Sequence, residues 1–79
     1  MNNLEKYQKV FCEAFEIEKE VLDELKYQDI PEWDSIGHMS MIGMLEEEFD
    51  ITLEMDDIID FSSFAKGKET LAKYDISIE

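Results

Sequence analysis

The residues best placed to do chemistry sit together in one run, Trp33-Asp34-Ser35-Ile36-Gly37-His38-Met39. The run follows the chain's single proline, Pro31, and opens a segment of helical apolar spacing. It therefore sets a serine hydroxyl at the start of a helix, in the most acidic third of the chain. Unpaired backbone N–H groups and the positive end of a helix dipole favour a phosphate at such a point. An exposed hydroxyl there is also open to a modifying enzyme. Two uses fit: Ser35 as the anchor of a phosphodiester, or Ser35 simply as the N-cap of its helix. Ser35 and His38, one turn apart, also have the composition of a nucleophile and its base. The helical reckoning, however, turns His38 toward the core and away from the serine, as a packed, half-buried imidazole.

The wider inventory is poor in catalytic parts. One His and one Cys leave a conventional triad without members. There is no Gly-rich phosphate loop, no nucleophile elbow and no His-Glu-x-x-His helix. The acids from Asp50 to Asp60 lack the alternating ligands and central glycine of a calcium loop. Cys12 falls at the margin of an apolar stripe and reads as a small half-buried side chain. The expectation is a protein that is not an enzyme and holds no metal.

The elements that must position Ser35 follow from apolar spacing. Leu4, Tyr7, Val10, Phe11, Ala14 and Phe15 recur at three- and four-residue steps and predict a first helix capped by Asn2 or Asn3. Residues 16–34 read as a long structured loop with a short helical turn at Val21, Leu22 and Leu25, ended by Pro31. A second helix is expected from Ser35 to Phe49, with Ser35 as N-cap, Asp34 just ahead, and His38, Met39, Ile42, Leu45 and Phe49 on the core face. Residues 50–54 extend, 55–60 make a turn or two around Ile58 and Ile59, and a last helix runs from Ser62 or Ser63 to about Tyr74. That last helix buries Phe64 and Leu71, with Tyr74 near its end, and is weakened by Gly67. Ile51-Thr52-Leu53 and Ile76-Ser77-Ile78 are the only short strand candidates. The predicted architecture is all-α, a single domain over 1–79 with three main helices, one short one and a long first loop.

Composition narrows the partners. Seventy-nine residues carry a net charge of −14 with no arginine. Residues 29–60 hold eleven acids and no lysine, whereas the flanking segments are nearly balanced. Nucleic acid and anionic membrane surfaces are poor partners for such a chain, because phosphate binding needs clustered Lys and Arg. A lone cysteine gives no internal disulfide and suits a reducing compartment. The N-terminal residues lack the pattern of a signal peptide, and no apolar run approaches the roughly 20 residues of a membrane span. A soluble, cytoplasmic monomer is expected.

Asp34-Ser35-Ile36 resembles the Asp-Ser-Leu attachment motif of acyl carrier proteins. The run Leu45-Glu46-Glu47-Glu48-Phe49-Asp50-Ile51 resembles the end of that family's second helix, at a matching distance from the serine. The similarity extends from about Leu4 to Tyr74. It implies a four-helix carrier in which Ser35 receives 4′-phosphopantetheine from coenzyme A by way of a phosphopantetheinyl transferase, with Asp34 and Ile36 presenting the serine. The thiol of that arm then holds an acyl group as a thioester. Ile36 stands where Leu is commonest, Gly37 and Ser40 where acids often sit, and Gly43 in place of a larger apolar residue. Trp-Asp-Ser followed by Gly-His looks more like stand-alone bacterial carriers for secondary-metabolite, aminoacyl or saccharide-linked groups.

On the second helix, Ile36, Ser40, Gly43, Met44 and Glu47 share the side opposite the expected core. Apolar side chains there, with Glu48 beside them and Asp56, Asp57 and Asp60 further on, form a docking stripe for biosynthetic enzymes with basic patches. Met39, Met41, Met44 and Met55 offer an adaptable interior for a carried chain. The alternative reading is an acidic interaction module that binds a basic protein without any prosthetic group.

Overall fold

The computed structural model describes residues 2–78. Four α-helices, α1 (Asn3–Phe15), α2 (Ser35–Phe49), α3 (Met55–Asp60) and α4 (Phe64–Ala72), are joined by a 3₁₀-helix at Lys19–Glu24 and by loops. The all-α expectation holds, and neither strand candidate forms a strand: the described residues contain only an isolated bridge between Lys26 and Ser63.

α1 begins where its sequence provides a complete cap. The Asn2 side chain accepts from the Glu5 amide at 2.8 Å, and Glu5 accepts in return from the Asn2 amide. Its buried stripe is Tyr7, Val10, Phe11 and Phe15. Phe11 lies at the centre of an aromatic cluster, with ring centroids 5.0 Å from Tyr7, 5.4 Å from Trp33 and 5.0 Å from Phe64. The Tyr7 hydroxyl donates to the Phe64 carbonyl at 2.6 Å, which satisfies its one buried polar atom. Burial pushes the Tyr7 phenol well above its usual range.

Gly67 is the residue that brings α4 onto this cluster. A β-carbon there would lie 2.1 Å from the Tyr7 hydroxyl oxygen and 2.2 Å from Phe61 Cζ. The residue that lowers helix propensity is thus the one that close packing requires. α4 is capped by Ser63, whose hydroxyl accepts from the Lys66 amide at 2.9 Å, and it ends at Ala72 rather than Tyr74.

Two expectations for α2 are corrected. Its N-cap is Asp34, whose Oδ1 accepts from the Gly37 amide at 2.8 Å, so Ser35 is the first helical residue and not the cap. Its buried face is Met41, Ile42 and Leu45, with Phe49 half-buried, while Met39 is exposed. Apolar side chains surround α2, so spacing alone does not select the face. Packing against α1 centres it on 41–42. Beyond α2 the chain is tied back, because Glu46 accepts from the amide of buried Leu53 at 2.9 Å.

α3 is different in kind, since none of its residues is buried. The Glu54 amide donates to the Tyr74 hydroxyl at 2.9 Å, and that hydroxyl donates to Asp57 at 2.5 Å. Lys73 donates to the other Asp57 oxygen at 3.1 Å. These bonds hold the Asp57 carboxyl below its usual range, the Tyr74 hydrogen bond contributing most and Lys73 next.

Candidate functional site

Three local features present the Ser35 side chain. The chain folds back so tightly before α2 that a β-carbon on Gly37 would lie 2.0 Å from the Glu32 carbonyl oxygen, so glycine is needed there. Asp34 takes over the capping role, which leaves the Ser35 hydroxyl outside the helix's own hydrogen bonding. Trp33, fully buried against Phe11 and Phe15, anchors the turn to the core. The outcome is an exposed hydroxyl on a fixed helix start.

His38 is engaged on both ring nitrogens. Trp33 Nε1 can only donate, and it lies 2.9 Å from His38 Nδ1, so Nδ1 accepts and the ring proton sits on Nε2. Nε2 then donates to the Ile58 carbonyl at 2.8 Å. The imidazole therefore ties α2 to α3 and is not a base for Ser35. The half-buried position expected for it is the one observed.

The hydroxyl of Ser35 meets instead the hydroxyl of Tyr27, 3.1 Å away. Both residues line a cavity of about 320 Å³ between α2 and α3, together with His38, Met39, Met55, Ile58, Ile59 and Phe61. Its walls are largely apolar. Of the methionines expected to form an interior for a carried chain, Met39 and Met55 line this cavity and Met41 and Met44 do not, while Tyr27 and Ile59 were not singled out for it by sequence. Tyr27 lies in an irregular loop with no periodicity to place it, and spacing in a helix as short as α3 does not say whether a side chain is covered.

The remaining predicted positions separate into two groups. Ile36, Ser40, Glu47 and Asp56 are exposed as expected. Met44 is half-buried and packs against the core, Glu48 is half-exposed, and Asp57 is occupied by Tyr74 and Lys73. The apolar surface around Ser35 comes from both helices: Ile36 is 82% exposed, Met39 53%, Met55 68% and Ile59 70%. Cys12 is half-buried, and burial followed by the Glu20 charge raises its thiol pKa, which disfavours the thiolate. Among the described residues no cluster of metal-ligating side chains occurs, and no helix is long and apolar enough to cross a membrane.

Residues 32–66 match the family model of the phosphopantetheine attachment site. No curated protein and no solved structure matches the chain. Over that span the chain is similar to a phosphopantetheine attachment site, which is consistent with the acyl carrier protein family. Domains of this family take 4′-phosphopantetheine in covalent linkage to a serine; they carry and do not catalyse. The matched span contains four serines, and the local geometry fits such a group at one end of it. An exposed, uncapped hydroxyl opens beside an apolar cavity, and the terminal thiol of the bound arm would supply thioester chemistry.

Proposed function

We propose that Ser35 is the attachment serine and that the protein carries acyl groups as thioesters between biosynthetic enzymes. The observation that supports this reading is the position of Ser35: first residue of α2, relieved of capping by Asp34, exposed, and at the wall of the apolar cavity. The other serines of the matched span are less suited. Ser63 is a half-buried cap, Ser62 follows α3 in a loop, and Ser40 lies within α2. In loading, the Ser35 oxygen bonds to the phosphorus next to the pantetheine of coenzyme A, the phosphoanhydride bond breaks, and 3′,5′-ADP leaves. The serine proton passes to a base on the transferase. Within this chain, Asp34 fixes the helix start and Ile36 presents an apolar contact beside the hydroxyl.

Partners on this reading are a phosphopantetheinyl transferase and acyl-activating or acyl-transferring enzymes with basic docking patches. Ile36, Met39, Met55 and Ile59 provide apolar contact, and Ser40, Glu47, Glu48 and Asp56 a polar rim whose charge steers encounter. Met44 and Asp57, both committed to the fold, contribute at the edge. The protein acts as a cytoplasmic monomer over one domain, 1–79, in a bacterial pathway. The family match favours this over an acidic module without a prosthetic group. Intact mass after incubation with a transferase and coenzyme A tests it. One phosphopantetheinyl group is expected on the wild type and on Ser62→Ala, and none on Ser35→Ala. Modification of Ser35→Ala sinks the assignment.

A further inference from the structure

We infer that Tyr27 is a positioning residue for the prosthetic group: its hydroxyl holds the Ser35 side chain before loading and donates to the phosphodiester afterwards. The inference rests on Ser35 being the attachment serine. Tyr27 is eight residues away in sequence, yet its hydroxyl reaches Ser35 Oγ at 3.1 Å.

The backbone that carries Tyr27 is pinned from several sides. The Tyr27 amide donates to the Ser62 carbonyl at 2.9 Å, and the Phe64 amide to the Leu25 carbonyl at 3.0 Å, which ties this segment to the start of α4. Gln28, in the left-handed region at φ 70°, donates its amide to the Trp33 carbonyl at 3.0 Å, and Asp29 accepts from the Lys26 amide at 2.9 Å. The ring stands edge-on to Trp33 and to His38, with centroids at 6.2 Å and 5.5 Å. His38 is itself fixed at both nitrogens. A half-buried ring held in this way delivers one polar atom, the hydroxyl, to Ser35.

Chemistry favours the same pairing after loading. A serine hydroxyl can donate or accept, but the ester oxygen it becomes can only accept, and a phosphodiester adds two anionic acceptor oxygens beside it. A fixed phenol O–H matches that change without moving the backbone, and its bond strengthens because hydrogen bonds to an anion are about twice as strong as neutral ones. The adjacent Asp34 side chain is an anion already occupied by the Gly37 amide and has no proton to give. Tyr27 is the side chain whose hydroxyl the structure sets against Ser35, and it adds a neutral donor to the amides of the helix start.

Tyr27→Phe isolates the hydroxyl while keeping the ring. The apo variant is expected to melt within a few degrees of wild type. Its loading efficiency, followed by intact mass with a transferase and coenzyme A, should fall about 5-fold, the worth of one ordinary hydrogen bond. In the loaded protein the phosphorus NMR resonance should move relative to loaded wild type, a signature that a purely structural tyrosine would not change. Loading at the wild-type rate with an unmoved phosphorus resonance overturns the inference. So does a large fall in apo melting temperature, which would assign the hydroxyl to the fold. Modification persisting in Ser35→Ala would instead overturn the attachment assignment, so the two failures are distinguishable.

Discussion

The two sides of this small bundle are held together by different physics. Around α1 and α4, large aromatic rings close on one another with almost no polar help: Phe11, Tyr7, Phe15, Phe61 and Phe64 are all buried, and one hydroxyl-to-carbonyl bond suffices. Around α3 the order is reversed. That helix buries no residue, and it is fixed by His38 reaching the Ile58 carbonyl and by Tyr74 and Lys73 reaching Asp57. Burial supplies most of the stability of a small domain, whereas exposed polar contacts supply geometry and little free energy. Ser35 thus sits at the seam between the two sides: Trp33 anchors its helix start to the core, while the α3 wall of the neighbouring cavity is shaped mainly by polar contacts.

The sharpest way to break that contrast is to remove its centre. Phe11→Ala deletes the ring shared by the aromatic cluster and should cost about 3–5 kcal/mol. Small domains have only about 5–15 kcal/mol in total. Thermal melting should drop steeply or lose cooperativity. A variant that melts like wild type would mean the cluster is not the stabilising centre.

Glycines offer a second, paired test. Gly67→Ala drives a β-carbon into Tyr7 and Phe61, and overpacking of this kind costs about 1–3 kcal/mol. Gly43→Ala, in α2, meets nothing within 4 Å and should stabilise by about 0.5–1 kcal/mol through helix propensity. Denaturant unfolding of the two variants should therefore move in opposite directions. If both move the same way, helix propensity rather than close packing governs the α4 contact.

Much of this was legible in the sequence because it rests on local rules. The bounds of α2 at Ser35 and Phe49, the cap at Asn2, the start of α4 after Ser63 and the apolar stripe of α1 all follow from capping chemistry and 3.6-residue spacing. Ser35 was picked out as a candidate by its place at a helix start together with the resemblance of Asp34-Ser35-Ile36 to an attachment motif. What stayed hidden depends on contacts distant in sequence. Met39, expected on the core face, is exposed and Met41 is buried because α1 fixes the rotation of α2, and Gly67 reads as a weakness until Tyr7 and Phe61 are placed against it. Asp34 displaces Ser35 as cap by one residue, a shift that frees the very hydroxyl in question. Tyr27 reaches Ser35 only because backbone bonds from residues 62 and 64 hold its loop.

The smallest effect concerns the polar clamp on α3, and its sign follows from the direction of the shifts. Asp57 has a folded pKa below its ordinary value of 3.8, through the Tyr74 hydrogen bond first and Lys73 second. Its contribution is therefore fully present above that ordinary value and is lost as pH falls through the lower folded one. Tyr74 and Lys73 are both raised, each with the hydrogen bond to Asp57 as the largest cause. Their share is present below their ordinary values of 10.0 and 10.5 and is lost as pH rises through the higher folded ones. The clamp should thus weaken in strong acid and again in strong alkali, with a plateau between. Because the salt bridge is exposed, the expected change is a local loosening of α3 rather than global unfolding. Amide exchange at Ile58 and Phe61 should quicken at the acid limit in wild type, while Asp57→Asn should exchange faster on the plateau and respond less to acid. An Asp57→Asn protein with wild-type exchange on the plateau would show that His38 alone holds α3, and the comparison between the two sides would then rest on a single imidazole.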